Sequence, residues 1–127
     1  MIVPQSIDHL VFRVSSLDRT ERFYTALLSQ QPERAEGTLM YEVGDTRLFF
    51  TTSTEASPAV YDKEKVGLNH IAFSIRTLTE LQTLEQQLNA AEIPNSGIKL
   101  DQYGLQEFIW LDDPDGIRLE FYLRSQS

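Results

Sequence analysis

The sequence predicts an α+β fold in which one strand-and-helix unit is used twice. Three observations predict it: an internal repeat, strand-type alternation at the start of each copy, and a change to helical period directly afterwards. "IDHLVFRV" (residues 7–14) returns sixty-one positions later as "LNHIAFSI" (68–75), and each stretch carries one of the chain's two histidines at its third position. The match continues through "IDHLVFRVSSLDRTERFYTALL" and "LNHIAFSIRTLTELQTLEQQLN", with Phe12 on Phe73 and Leu17 on Leu78. Further on, "TRLFFTT" lies on "IRLEFYL" at an offset of 71, so the second half holds ten extra residues between its helix and its last strand.

Each element follows from local pattern. Leu10, Phe12 and Val14 alternate with His9, Val11 and Arg13, as do Ile71, Phe73 and Ile75 with His70, Ala72 and Ser74, which predicts strands with one apolar face. Helices follow, with Thr20, Phe23, Tyr24, Leu27 and Leu28 on one apolar stripe and Leu81, Leu84, Leu88 and Ala91 on the other. Thr77 with Glu80 reads as a capping box, and Asp18 and Glu21 put negative charge at the other helix start. "TLMYEV", Gly44-Asp45 and "TRLFFTT" read as a hairpin; "QEFIWL", "DDPDG" and "IRLEFYL" are its counterpart, with Pro114 and Gly116 in the turn. Short extra strands are expected near Pro32 to Ala35 and Ile98 to Leu100. The result is a single domain over 1–127: a first module at about 5–52, a polar linker at about 53–66 containing Pro58, and a second module at about 67–124.

Composition narrows the function. Length and 41% hydrophobic residues suit one globular domain, and the net charge of −8 would repel nucleic-acid backbones and anionic membranes. The absence of cysteine removes disulfides, thiolate nucleophiles and zinc-finger spacings. "MIVPQS" has no signal-peptide pattern and no window is long and apolar enough for a membrane span, so a cytoplasmic protein is expected.

Alternation also assigns the chemistry to a face. Leu119, Phe121 and Leu123 take the helix side, leaving Arg118, Glu120 and Tyr122 opposite; Leu48 and Phe50 likewise leave Arg47, Phe49 and Thr51 opposite. One side of the sheets then collects His9, His70, Glu120, Arg13, Arg47, Ser74 and Tyr122. Two such twisted sheets, paired edge to edge, would curl around a hollow. Two imidazoles and a carboxylate are the donors of the 2-His-1-carboxylate triad, which leaves metal positions open to substrate. Iron(II), manganese, nickel, cobalt and zinc all accept these donors, and ligand type alone does not choose among them. Arg13 could hold a substrate carboxylate or pair with Glu42; Tyr122 could orient a substrate oxygen or act as an acid; Tyr103 could sit on a loop over the cavity. Phe108 and Trp110 read as packing residues. "DDPDG" lacks the donors of a calcium loop.

"IDHLVFRVSSLDRTERFYTALL", "GLNHIAFSI" and "WLDDPDGIRLEFYL" resemble the vicinal oxygen chelate superfamily of glyoxalases, bleomycin-resistance proteins and ring-cleaving dioxygenases, over essentially the whole chain. The resemblance implies two βαβββ modules forming an open, curved mixed-sheet barrel around a divalent metal, with ligand positions at His9, Phe49, His70 and Glu120. Phe49 departs from the carboxylate that glyoxalase I carries there, since a phenyl ring neither binds metal nor moves a proton. His9, His70 and Glu120 match the two-histidine, one-glutamate set of extradiol dioxygenases and fosfomycin thiol transferases. Val11 stands where those transferases usually have threonine, and no third histidine exists to match the dioxygenases.

The resemblance therefore implies a metal-dependent enzyme acting on a small molecule that chelates through adjacent oxygens, an iron(II)-dependent dioxygenase first. A glyoxalase-like lyase, isomerase or thiol transferase, and a non-catalytic ligand-binding protein of bleomycin-resistance type, are the alternatives. Arg13, Phe49, Ser74 and Tyr103 are the candidate substrate contacts, and Tyr122 the candidate catalytic group. It further implies a homodimer in which His9 of one chain faces His70 of its partner.

Overall fold

The computed structural model describes residues 1–55 and 60–124. Pro58 of the expected linker lies outside the described residues. The chain divides into two compact units, Met1–Ala59 and Val60–Ser127. The first runs β1 (His9–Val14), α1 (Leu17–Leu28), β2 (Glu33–Ala35), β3 (Thr38–Val43) and β4 (Thr46–Thr52). The second runs β5 (His70–Ile75), α2 (Leu78–Ala90), β6 (Lys99–Leu100), β7 (Glu107–Asp112) and β8 (Arg118–Leu123). Each is a βαβββ module with a four-stranded mixed sheet, ordered β1-β4-β3-β2 in one and β5-β8-β7-β6 in the other. The first strand of each module pairs parallel with its last, and the hairpins supply the antiparallel pairs. A parallel pair needs a long crossover, which the helix provides.

Both helices start on hydroxyl caps: Ser16 accepts from the Arg19 amide and Thr77 from the Glu80 amide. Asp18 lies in the first turn of α1, whereas Glu21 lies beyond it and pairs with Arg34 of β2, tying the helix to that short strand. Ala91 is not on the buried stripe: it caps α2 and is exposed. The β3–β4 hairpin turns on Gly44 at φ 56°, a conformation glycine adopts without steric cost. In the β7–β8 turn Gly116, at φ 86°, leaves no room for a side chain, because a Cβ would lie 2.6 Å from Val60 Cγ1.

The helix-covered faces differ in chemistry. In the first module Phe12, Tyr24, Tyr41 and Phe50 form an aromatic cluster, with Phe12 and Phe50 stacked at 4.8 Å and Tyr24 4.4 Å from Phe50. The buried Tyr41 hydroxyl shares a 2.8 Å hydrogen bond with Thr25, and burial raises its pKa, so it stays a neutral phenol. The second core is mostly aliphatic: Leu81, Leu84, Leu88, Ile109, Leu111 and Leu119 are all buried. No helix among the described residues is long and apolar enough to cross a membrane.

Candidate functional site

Pairing register places the polar side chains in rungs across the face opposite each helix. In the second module one rung is His70, Arg118 and Asp112; the next is Ala72, Glu120 and Trp110; the third is Ser74, Tyr122, Phe108 and Lys99. His70 and Glu120 are thus diagonal neighbours on adjacent strands, close enough to touch. Nε2 of His70 lies 3.3 Å from Oε1 of Glu120. Glu120 is only 9% exposed although it carries a carboxyl group and lies away from the helix. Arg118, whose guanidinium stacks on Trp110 at 3.8 Å and binds Asp112 at 2.8 Å, closes the sheet beside it.

Asn69 decides which imidazole nitrogen faces Glu120. Its Nδ2 donates to the Lys63 carbonyl at 3.0 Å, so its Oδ1 is the atom 2.8 Å from His70 Nδ1. Amide and tautomer assignments follow from such networks, and here the network leaves one answer: Nδ1–H donates to Asn69. In neutral His70, Nε2 therefore turns a lone pair toward a carboxylate oxygen. A proton held by either partner, or a shared cation, would bridge these two facing atoms at 3.3 Å. An imidazole nitrogen, an ionised carboxylate and a hydrogen-bonded second ring nitrogen are the donor set of a divalent-metal site, so these residues fit such an ion.

The first module repeats the diagonal with a different outcome. His9 Nδ1 lies 2.7 Å from Asp8 Oδ2, and that hydrogen bond to His9 holds the Asp8 carboxyl below its usual range. Where the second module has Glu120, the first has Phe49, whose ring meets the His9 ring edge-on at 5.6 Å and 85°. Among the described residues, no three histidine, aspartate or glutamate side chains gather into a metal-holding group. The structure joins His70 to Glu120, two of the three expected donors, and carries His9 on the other unit.

Each sheet cups its own hollow. The second module's hollow, about 430 Å³, is lined by His70, Glu120, Tyr122, Phe108, Lys99 and Asp101, with the exposed Tyr103 on its rim. The first module's, about 360 Å³, is lined by Phe49, Met40, Thr38, Ala35, Arg34 and Arg47. Asp101 organises the loop at the second hollow. Its Oδ1 accepts from the amides of Gly104 at 2.6 Å and Tyr103 at 3.1 Å, and these bonds, Gly104's first, hold its carboxyl below the usual range. The Tyr122 hydroxyl also donates to Asp101, while burial, then the charges of Glu120 and Asp101, raise the phenol's pKa. Tyr122 is consequently a neutral hydrogen-bond donor near pH 7, and a weaker acid than a free tyrosine.

Other expected residues are placed as follows. Arg13 donates to the Thr52 carbonyl at 3.2 Å, and Arg47 rather than Arg13 approaches Glu42, at 4.0 Å. Ser74 is exposed on the open face and outside the lining of the hollow. Phe108, expected to serve packing alone, stacks on Tyr122 and lines the hollow. Sequence reasoning missed Asn69, Lys99 and Asp101. A signal existed for Asn69, since each histidine follows a polar Asx residue in both repeated stretches.

The sequence matches the model of the Glyoxalase/Bleomycin resistance protein/Dioxygenase superfamily over residues 6–121. None of the curated proteins matches the chain significantly in sequence. Among solved structures, a glyoxylase/bleomycin resistance protein/dioxygenase domain from Frankia sp. superposes with a TM-score of 0.79 at 23% identity, covering 95% of this chain and 98% of that one. Lactoylglutathione lyase from Agrobacterium tumefaciens gives a TM-score of 0.72 at 20% identity, with 94% of each chain covered. The fosfomycin resistance protein FosX from Mesorhizobium loti gives 0.71 at 15% identity, covering 97% of this chain and 95% of that one. At these identities the structural likeness speaks for fold alone, and the match of the family model over nearly the whole length carries the assignment. The chain belongs to the Glyoxalase/Bleomycin resistance protein/Dioxygenase superfamily.

Proposed function

We propose that this protein is a divalent-metal-dependent enzyme whose small organic substrate chelates through two adjacent oxygens, and that its reaction is of the dioxygenase type. The observation that carries the reading is the His70–Glu120 pair: two acceptor atoms 3.3 Å apart, one buried carboxylate, and an imidazole whose other nitrogen is already committed to Asn69. His9 is the third ligand in this reading, and a homodimer brings His9 of one chain to His70 and Glu120 of its partner. Bound there, a divalent ion supplies Lewis acidity that stabilises negative charge on substrate oxygens. The protein's own groups do the rest. Tyr122 donates a hydrogen bond from a neutral phenol, Phe108 and Phe49 give apolar walls, and Asn69 keeps His70 turned toward the substrate side. Phe49 disfavours the glyoxalase alternative, because that position offers no base.

Two measurements test the proposal. Protein purified without chelator should carry metal that His70→Ala lacks; equal metal in both contradicts the ligand assignment. With Fe(II) and a panel of catechols, oxygen uptake is expected, and a silent electrode across the panel counts against dioxygenase chemistry. For the dimer, equal mixing of His9→Ala and His70→Ala chains should restore about a quarter of the sites, as two-fold symmetry requires. No restoration after subunit exchange has been demonstrated with labelled chains would place the whole site in one chain.

A further inference from the structure

Because the modules duplicate one sheet, every position on one open face has a counterpart on the other. The rung Ser74, Tyr122, Phe108 and Lys99 corresponds in register to Arg13, Thr51, Thr38 and Ala35. Where the first module has alanine and two threonines, the second has a lysine and two aromatic rings, on the rung next to Glu120. Phe108 and Tyr122 are stacked nearly parallel, 4.8 Å apart at 13°, and this aromatic stack lines one side of the hollow.

The charges around this corner are unequally engaged. Glu120 faces His70, and Asp101 is held by the amides of Gly104 and Tyr103 and by the Tyr122 hydroxyl. Lys99 lines the same hollow and makes no ion pair or hydrogen bond among the described residues. A chain of net charge −8 repels anions in general, so the exposed, unpaired ammonium of Lys99 beside a concave, partly apolar corner is a selective feature. The volume of about 430 Å³ lies in the range of small-molecule sites and admits a single-ring ligand.

We infer that Lys99, Phe108 and Tyr122 form a subsite for a small aromatic carboxylate, with the ring against the Phe108–Tyr122 wall and the carboxylate on the Lys99 ammonium. That this ligand is the substrate rests on the metal reading proposed above; anion selection at Lys99 stands on the corner itself.

Benzoate and its neutral isostere benzamide are the probes, titrated by calorimetry into protein as purified and again after chelation. Wild type should bind benzoate at least about tenfold more tightly than benzamide in both states, an ammonium–carboxylate hydrogen bond being roughly twice as strong as a neutral one. Lys99→Met should bring the two probes to within about twofold while keeping benzamide binding, and Lys99→Arg should retain the preference. Cyclohexanecarboxylate, which has no flat π-face to stack, should bind more weakly than benzoate in wild type, and equal binding would overturn the aromatic part of the subsite. Equal binding of benzoate and benzamide by wild type, or an unchanged preference in Lys99→Met, overturns the subsite. His70→Ala separates the two readings: it should lose metal and keep the benzoate preference after chelation. Retained metal would sink the ligand assignment without touching the Lys99 corner.

Discussion

His9 and Phe49 stand to each other in the first module as His70 and Glu120 do in the second, diagonally across two parallel strands in the same register. One diagonal ends in an edge-on ring contact, the other in an imidazole nitrogen 3.3 Å from a carboxyl oxygen. Duplicated backbone fixes where side chains meet, and a single residue then decides whether an imidazole meets a phenyl ring or a carboxyl group. The cores diverge as well. The module whose diagonal ends in Phe49 holds the aromatic interior, and the module whose diagonal ends in Glu120 is packed mainly with leucine and isoleucine.

The largest effect that would break this comparison concerns the cores. Phe50 is fully buried and touches Phe12, Tyr24 and Tyr41. Phe50→Ala should cost about 3–5 kcal/mol in urea unfolding, the range for buried aromatic truncation. Phe73→Ala in the second module, half-buried, should cost less. Equal losses would mean that the aromatic cluster has no special weight.

Next in size is the support of the imidazoles. Asn69→Leu removes the acceptor that fixes the His70 tautomer and should weaken metal binding about 10–100-fold, the range for lost outer-shell partners. Imidazole nitrogen chemical shifts should show the Nδ1–H form of His70 losing its dominance even without metal. An unchanged tautomer would free Asn69 from this role.

Smallest is the acid response of the Asp101 loop. Its carboxyl is held below the ordinary aspartate range, chiefly by the Gly104 amide, so its contribution is present above that range and is lost as pH falls through the lowered value. Protection of the Gly104 amide, its exchange rate relative to the intrinsic rate at the same pH, should therefore persist at neutral pH and fall only below about the ordinary aspartate range. Asp101→Asn should abolish the pH step, and a step near neutrality would contradict the assignment.

Much of this was legible in the sequence because strand period is two: once Leu119 and Phe121 took the helix side, Glu120 had no other face to occupy. The repeat placed His70 beside it. Lys99 was not legible, because β6 has two residues and no period can set the register of so short a strand. Asn69 lay in plain sight, yet its role depends on the Lys63 carbonyl in an irregular loop. Arg13 was assigned to the right face, but its guanidinium turns to the backbone carbonyl of Thr52 at the end of the neighbouring strand. Tertiary hydrogen bonds of this kind leave no trace in local pattern.

The most direct test of the central claim is anaerobic titration of chelator-stripped protein with Fe(II) and Mn(II), comparing wild type with Glu120→Gln. Wild type should take up one ion per site, and Glu120→Gln, which keeps the shape and removes the charge, should bind more than about 100-fold more weakly, beyond the outer-shell range. Equal affinity in the two proteins would contradict the claim that the His70–Glu120 diagonal is a metal site.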